Sequence, residues 1–343
     1  MTDDVKPIPL LKLPDNAVME VIKNFCLFDK FNFSLLSSRS RNFIRLSHSP
    51  ANLPPRYETC VTGRLANEII FTISITDNQR YLDELTVSFI ITLPLSIARH
   101  GYNVLYGDRL LLCDNFGPTV ELWADHLLWI MNQKVMKTMS FTHLVWHNEL
   151  ELMRKTFGRY HELEILAACS NMSAQFLYYL FSPSKKLLLE NQCFDTRVEI
   201  DRMLIQKFDS FVLGSPLTLD EILTTKAASL KVTRMHRNFN FNRFIKLWMS
   251  NLTNPRMEHV VFVIRAEINK EEMLRGIPNE RVVDPIVINR ARDRYEYVNG
   301  KNAIVIRHGW NIIREDGTRA TIRCGDELDF LGFNHNFEFY VWE

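Results

Sequence analysis

The sequence carries almost no net charge, because 41 basic residues stand against 40 acidic ones among its 343 residues. A chain without a dominant sign creates no long-range field that would attract a polyanion, so we expect neither nucleic acid nor a membrane as partner. The longest apolar run, Val87 to Ala98, is too short to span a bilayer and contains Pro94. The first residues also lack the basic-then-apolar pattern of a secretion signal. We therefore expect a soluble protein of the cytoplasm, the nucleus or both.

Glycine is scarce, with 12 residues, and the patterns G-x-G-x-x-G, G-x-x-x-x-G-K-[ST] and G-x-S-x-G are missing. Such patterns build phosphate-binding loops and nucleophile elbows, since glycine lets the backbone turn sharply and approach a ligand. We identify no catalytic residue, and we predict a non-catalytic protein that needs no cofactor.

Metal-ligand patterns are lacking as well, because the six cysteines are scattered and form no C-x-x-C pair. His143 and His147 lie four residues apart, yet Leu144 stands where a zinc protease requires glutamate. The acidic residues from Asp326 to Asp329 have no EF-hand spacing around them, and we interpret them as a solvated turn. We predict no metal site.

What the chain does contain is a run of three short apolar segments with helix-start signals within residues 7–46. The first follows Pro14, because proline is preorganised for the first helical turn. The second is predicted to begin at Asp29 and the third at Ser37 or Ser38, whose side chains can cap orphan amides. About forty residues are too few to close a core alone, so we expect a partner surface. Helical spacing predicts that one face of the first helix and one face of the third point towards the core. The residues on these faces are Val18, Val21, Ile22 and Phe25 in the first helix and Phe43, Ile44 and Leu46 in the third.

This stretch resembles an F-box, the helical module that docks on a Skp-type adaptor in cullin-based ubiquitin ligases. The resemblance lies in the opening Pro-Leu-Leu-Lys-Leu-Pro and in the later Leu-Leu-Ser-Ser-Arg-Ser, at the separation that F-boxes show. The second segment departs from the pattern because it is rich in phenylalanine. The residues that the resemblance assigns to adaptor binding are Leu10, Leu13, Pro14, Val18, Ile22, Leu36 and Ser37.

Beyond this module, strand and helix patterns alternate, which predicts the α/β class for this region. With the helical module at its start, the chain is predicted to be α+β overall. In the first part of this region the predicted elements are strands at Glu68–Ile75 and Leu85–Leu93, a hairpin at Val104–Cys113, and a helix at Thr119–Met131.

From about residue 140 the chain takes on a loose repeat. Strand candidates begin at residues 163, 187, 211, 230 and 260, so their starts lie 24, 24, 19 and 30 residues apart. A strand–helix unit of this period is typical of a leucine-rich-repeat-like solenoid, here degenerate because the asparagine that normally ends each strand is mostly missing. The strands are Leu163–Leu166, Leu187–Leu189, Phe211–Leu213, Leu230–Val232 and Val260–Val263; the helices are Ala174–Phe181 after Ser173, Leu219–Leu223 after Thr218 and Phe241–Met249 after Asn240.

The last part of the chain begins with a charged stretch, Ile268 to Arg294, which we interpret as an irregular connection. Ile312–Ile322 predicts a hairpin with Asp-Gly at its turn, and Phe337–Trp342 predicts a closing strand. The hairpin and the final Phe-x-Phe-Tyr-Val-Trp resemble the end of F-box proteins that carry an F-box-associated domain of the second type. Residues 187–263 resemble the body of that domain.

Four regions follow: an F-box at residues 6–52, a connecting region of strands and helix at 53–140, an F-box-associated, leucine-rich-repeat-like domain at 141–267, and a C-terminal hairpin with closing strand at 295–343. The resemblance implies a substrate-recognition adaptor that binds a Skp-type adaptor and, through it, a cullin. The alternative is a protein-interaction module that acts outside a ligase. The target and its binding residues are not predicted. Arg234, His236, Arg237 and Trp248 follow a strand and are either a binding edge or ordinary surface and packing residues.

Overall fold

The computed structural model separates into two compact units, Met1–His161 and Glu162–Glu343. Within the described residues, no helix has both the length and the apolar content needed to cross a bilayer. The structure describes residues 9–25, 27–47, 57–65, 68–77, 84–92, 100–106, 109–114, 125–126, 128–130, 134–141, 154, 160–166, 175, 177–179, 181, 185–190, 197–289, 297–298, 301–329 and 332–342.

The first unit opens with a 3-10 turn and three helices. These are Leu10–Lys12, α1 (Asp15–Lys23), α2 (Leu27–Ser34) and α3 (Ser38–Ser47). Helix α1 begins directly after Pro14, as predicted, with Pro14 as its N-cap, whereas α2 begins two residues before the predicted Asp29. Inward packing is confirmed for Val18, Ile22, Phe43 and Ile44. It is wrong for Leu46, which is 58% exposed, and for Val21, which is 38% exposed.

Six sheet strands follow in this unit, in the order β6-β1-β2-β3-β4-β5. Strands β1 to β5 form an antiparallel meander, and β6 pairs with β1 in parallel. The predicted strands β2 and β3 and the predicted hairpin β4–β5 are confirmed, whereas β1 and β6 were not predicted. The strands are β1 (Tyr57–Leu65), β2 (Glu68–Asp77), β3 (Glu84–Thr92), β4 (His100–Tyr106), β5 (Arg109–Asp114) and β6 (Met136–Phe141).

Helical residues near position 126 pack against α2 and α3. His126 Nε2 and Ser34 Oγ are 2.9 Å apart in a hydrogen bond, and the His126 ring meets Phe31 edge-on at 6.4 Å between centroids. The Arg45 guanidinium lies 3.9 Å from the ring centroid of Trp129, a cation–π contact. The small helical module thus obtains part of its partner surface from its own chain.

The second unit begins with five parallel strands that lie side by side in sequence order. All five were predicted, and helices alternate with them, including one that the sequence did not predict, α4. The elements are β7 (Tyr160–Ile165), β8 (Lys186–Leu189), α4 (Arg197–Leu204), β9 (Ser210–Leu213), α5 (Leu219–Thr224), β10 (Ser229–Val232), α6 (Phe241–Met249) and β11 (His259–Ile264).

Two of these helices begin at the predicted caps. Thr218 and Glu221 form a reciprocal capping box at α5, and Asn240 accepts a hydrogen bond from the Arg243 amide at α6. Capping of this kind satisfies amides that have no partner inside the helix. The cap predicted at Ser173 lies outside the described residues.

The remainder of the second unit is more regular than predicted. The stretch from Ile268 was expected to be irregular, but it contains one helix and two short strands that form by pairing with later segments. The acidic residues from Asp326 were expected in a turn, but their backbone continues β17 opposite β18. The elements are α7 (Lys270–Leu274), β12 (Glu280–Arg281), β13 (Ile286–Asn289), β14 (Tyr297–Val298), β15 (Lys301–Ile306), β16 (Trp310–Ile313), β17 (Arg319–Asp329) and β18 (Gly332–Trp342).

The closing strand β18 lies inside the sheet of this unit and not at its edge. It pairs antiparallel with β11 on one side and with β17 on the other. The sheet order in the second unit is β12-β16-β17-β18-β11-β10-β9-β8-β7, and β13, β15 and β14 form a separate small sheet. The last strand therefore links the parallel series to the C-terminal hairpin.

The predicted Asp-Gly turn joins β16 to β17, with Gly317 at a φ of 89°, a conformation that suits glycine. The buried Arg314 guanidinium donates hydrogen bonds to Asp316 and to Thr318 Oγ1 and lies over the Trp248 ring. The Arg314 hydrogen bonds, with further ones from Thr318, hold the pKa of Asp316 well below its usual range. The Glu315 amide donates to the Met249 carbonyl, so this turn is fixed to the end of α6.

An aromatic core joins α6 to β11 and β18. Its rings pack at centroid distances such as 4.7 Å between Phe241 and Phe337 and 5.0 Å between Trp248 and Phe339. Aromatic pairs at this spacing add stability beyond the area that they bury. The members of the aromatic core are Phe241, Phe244, Trp248, Phe262, Phe337 and Phe339.

Phe337→Ala should destabilise the second unit strongly, because it removes a fully buried ring from the aromatic core. We expect a loss of about 3–5 kcal/mol in the free energy of unfolding, measured by urea denaturation. Ile313→Ala is the matched control in the neighbouring hairpin, since Ile313 is largely exposed, and its effect should stay below about 0.5 kcal/mol. Equal losses in the two variants would contradict the central position of the aromatic core.

His126 should make the first unit sensitive to acid. Burial, with a smaller contribution from the Arg41 cation, lowers the pKa of His126 from 6.5 to about 4. The unfolded chain binds the proton first on acidification, so stability is fully present above pH 6.5 and falls as the pH drops towards about 4. His126→Gln keeps a polar group near Ser34 without this titration. When the pH is lowered from about 7 to about 5, the Tm of the wild type should therefore fall more than the Tm of His126→Gln. Equal falls in the two proteins would refute the assignment.

Candidate functional site

The Pro-Leu-Leu-Lys-Leu-Pro segment forms a compact surface before α1. The Lys12 amide donates to the Pro9 carbonyl and the Leu13 amide to that of Leu10, which closes the 3-10 turn. Leu13 then adopts an extended conformation and leads into Pro14. Leu10 and Leu13 are half-buried and Pro14 is exposed, so apolar atoms of this segment face solvent.

Arg39 holds this segment against α3. Its guanidinium donates to the Leu11 carbonyl at 2.9 Å and to Asp15 Oδ1 at 2.7 Å, and it lies over the Phe43 ring. The role of Arg39 in holding this segment was not predicted from the sequence. The signal was present, because an acidic first-turn residue and a distant arginine can pair, but spacing alone did not identify the pair.

The turn between α2 and α3 presents the second apolar group. Leu36 is 68% exposed, and its neighbour Leu35, which we did not predict as a site residue, is also exposed. Ser37 is half-buried and caps α3, since its Oγ accepts from the Ser40 amide while Ser40 Oγ donates to the Ser37 carbonyl. The cap fixes the direction in which this turn leaves the helix.

Two of the predicted site residues lie elsewhere in this arrangement. Val18 and Ile22 are fully buried between the helices. Either could touch another protein only if the helices moved apart, so in this structure they position α1. The structure thus brings Leu10, Leu13, Pro14, Leu36 and Ser37 to the surface of the module and Val18 and Ile22 to its interior. Adaptor binding by all seven stays a prediction.

Metal-binding geometry is not found in the described part of the chain, where no group of three His, Cys, Asp or Glu side chains converges. The pair His143 and His147 lies outside the described residues. Trp248, which was left as either binding or packing residue, is fully buried in the aromatic core. Arg234, His236 and Arg237 are exposed.

Comparison with protein families gives two matches. Residues 10–50 match the model of the F-box domain, and residues 199–262 match the model described as F-box associated. No curated protein and no solved structure matches the chain. The first match contains the whole three-helix module, and the second runs from α4 through most of β11. The chain therefore combines an F-box domain with an F-box-associated domain of the second type.

Proposed function

We propose that this protein is a substrate-recognition adaptor of an SCF-type ubiquitin ligase. Its F-box binds a Skp-type adaptor, and through it a cullin, while its C-terminal region binds a protein target. The single observation that carries the proposal is the presence of an F-box and an F-box-associated domain in one chain. Such proteins are non-catalytic subunits, and no residue of this chain is assigned a catalytic role.

The adaptor is bound through Leu10, Leu13, Pro14, Leu36 and Ser37, whereas Val18 and Ile22 act from inside by holding α1 in place. This division is supported by the exposure of the first group and the burial of the second. Exposed apolar side chains on a rigid helical support are suited to an interface, where a few well-packed residues dominate the binding free energy.

Ubiquitin transfer then follows from proximity. A target held on the same assembly as the charged conjugating enzyme presents its lysines at a high effective concentration. The role of the protein is to position the target, so transfer requires that the F-box and the target-binding region are occupied at the same time. Cytoplasm and nucleus are the compartments that we propose, with no nucleic acid or membrane as partner.

The target side is a leucine-rich-repeat-like solenoid at residues 141–267, with the hairpin region 295–343 joined to it through the pairing of β18 with β11. Support comes from strands β7 to β11, which run parallel in sequence order with helices between them. In β8, β9 and β10 every second residue is buried and the others are half-buried, so one face of the strands is available to a target.

A second candidate function is a protein-interaction module that acts outside a ligase. It is favoured by the packing of His126 and Trp129 on α2 and α3, because a module that is partly covered by its own chain has less need of an adaptor. Affinity purification and mass spectrometry separate the two functions. Adaptor and cullin peptides absent from all expressing tissues would favour the second.

Adaptor binding should depend on the exposed apolar residues of the F-box. We expect Leu13→Asp combined with Pro14→Ala, and separately Leu36→Asp, to weaken co-purification with a Skp-type adaptor about tenfold or more, because each places a charge or removes apolar contact at the interface. Leu36→Asp changes a side chain that packs little against its own chain, so this variant should remain folded.

The matched control is Leu252→Asp, which introduces the same charge at an equally exposed leucine in the second unit. It should leave adaptor binding within about twofold of the wild type. Circular dichroism of every variant separates a lost interface from a lost fold. Intact binding by both F-box variants would sink the proposal.

A further inference from the structure

The acidic and basic residues of this nearly neutral chain are segregated in one repeat unit. Residues 222–257 contain no aspartate or glutamate, yet they include seven basic residues. This segment forms the end of α5, β10, the following loop, α6 and the approach to β11. The basic residues are Lys226, Lys231, Arg234, Arg237, Arg243, Lys246 and Arg256.

Three of these cations lie on β10 and on the loop at its carboxyl end. Lys231 projects from the face opposite to the buried Leu230 and Val232. Arg234 and Arg237 are exposed in the loop. The Met235 amide donates to the Val263 carbonyl at 2.8 Å, so the chain stays paired with β11 beyond the end of the strand.

Arg265, the residue directly after β11, adds a fourth cation at the same end of the sheet. The hydrogen bond from the Met235 amide to the Val263 carbonyl places Arg234 and Met235 beside the last residues of β11, directly before Arg265. Neighbouring strands lie about 4.8 Å apart, so the backbones at Arg234 and Arg265 are close. We refer to Lys231, Arg234, Arg237 and Arg265 as the basic edge.

The four side chains of the basic edge form no ion pair with any described residue. Elsewhere in this unit cations do have acidic partners, as in Arg314 with Asp316 at 2.7 Å and Arg256 with Asp209 at 3.9 Å. Glu267 is the nearest carboxylate along the chain from Arg265, and it is not bonded to the basic edge. Like charges gathered at one end of the sheet repel one another, and a bound anion would relieve the repulsion.

We infer that the basic edge binds an acidic segment of the target protein. The inference rests on the proposed function and names the chemistry of the target that it recognises. Three of the four cations are arginines, whose planar guanidinium groups bind carboxylates through paired hydrogen bonds. The side chain of Lys231 extends the edge onto the open face of the strands, where a bound segment would continue.

A protein segment fits this edge better than a nucleic acid. Binding to single-stranded nucleic acid uses a cationic track together with exposed aromatic rings on which bases stack. The phenylalanine of the loop, Phe239, instead packs inward, with its ring centroid 5.0 Å from Phe241 and 5.2 Å from Phe262. The loop thus keeps only the small imidazole ring of His236 exposed, and a cluster of four cations around it is better suited to a short run of carboxylates.

The opposite end of the same strands supplies a matched control. Lys185, Lys207 and Lys226 are exposed there, so three cations can be reversed in sign at both ends. At that end the carboxylates of Asp209 and Glu258 lie among the cations, which reduces the local positive field.

The test uses the full chain in complex with a Skp-type adaptor and measures fluorescence anisotropy. The probes are a fluorescein-labelled oligoglutamate peptide, an oligoglutamine peptide of equal length and a single-stranded oligothymidylate of equal length. The edge variant carries Arg234→Glu, Arg237→Glu and Arg265→Glu. The control variant carries Lys185→Glu, Lys207→Glu and Lys226→Glu.

We expect the wild type to prefer oligoglutamate over both other probes and to lose affinity as salt is raised. The edge variant should bind oligoglutamate about tenfold or more weakly, because three cations of one interface are reversed. The control variant should stay within about threefold of the wild type, since its charges are more distant.

Three results would overturn the inference: equal binding of oligoglutamate and oligoglutamine by the wild type, tighter binding of oligothymidylate, or equal losses in the two variants. The first two concern the wild type alone and hold even if a variant does not fold. Adaptor binding is measured in the same samples. If it persists while oligoglutamate is not bound, the proposed function stands and the inference falls.

Discussion

The contact on which the second unit depends is the packing of β18 against α6 through the aromatic core. Phe337 and Phe339 belong to the last strand, and Phe244 and Trp248 belong to a helix of the parallel series. Because these rings are fully buried together, β18 is held next to β11 and ends the parallel strands with an antiparallel partner. Without it, β11 would expose an unpaired edge, which is a site of aggregation.

The elements that could be predicted from the sequence are those that local chemistry specifies. Helix α6 was predicted at its observed bounds, because Asn240 marks the start and apolar residues recur at helical spacing up to Met249. The five parallel strands are short runs rich in apolar residues between polar loops. Their order in the sheet also followed, since repeated strand–helix units stack on their neighbours. In the F-box, the proline and serine positions predicted two of three helix starts.

What could not be predicted depends on distant partners. Strands β12 and β13 exist because β16 and β15 pair with them, and β6 forms beside β1 despite a mixed sequence that favours no element by itself. The same limit applies to the site. Apolar spacing marks Val18 and Leu46 alike, yet one is buried and the other exposed. Periodicity shows that a face is apolar, but not whether it meets its own chain or another protein.

The net charge of a chain describes its electrostatic field at long distances, but not the field close to individual side chains. A formal charge of +1 excludes strong steering of a polyanion by the whole chain, but ionic screening limits most electrostatic contacts to about 8–10 Å. Within that radius, the four cations of the basic edge outnumber the nearest carboxylate along the chain, Glu267, so the local field is positive although the whole chain is nearly neutral. The expectation against nucleic acid and the inference of an acidic protein segment are therefore compatible. An adaptor gains from this arrangement, because a neutral molecule with one charged edge avoids general attraction to polyanions while it still discriminates among protein segments.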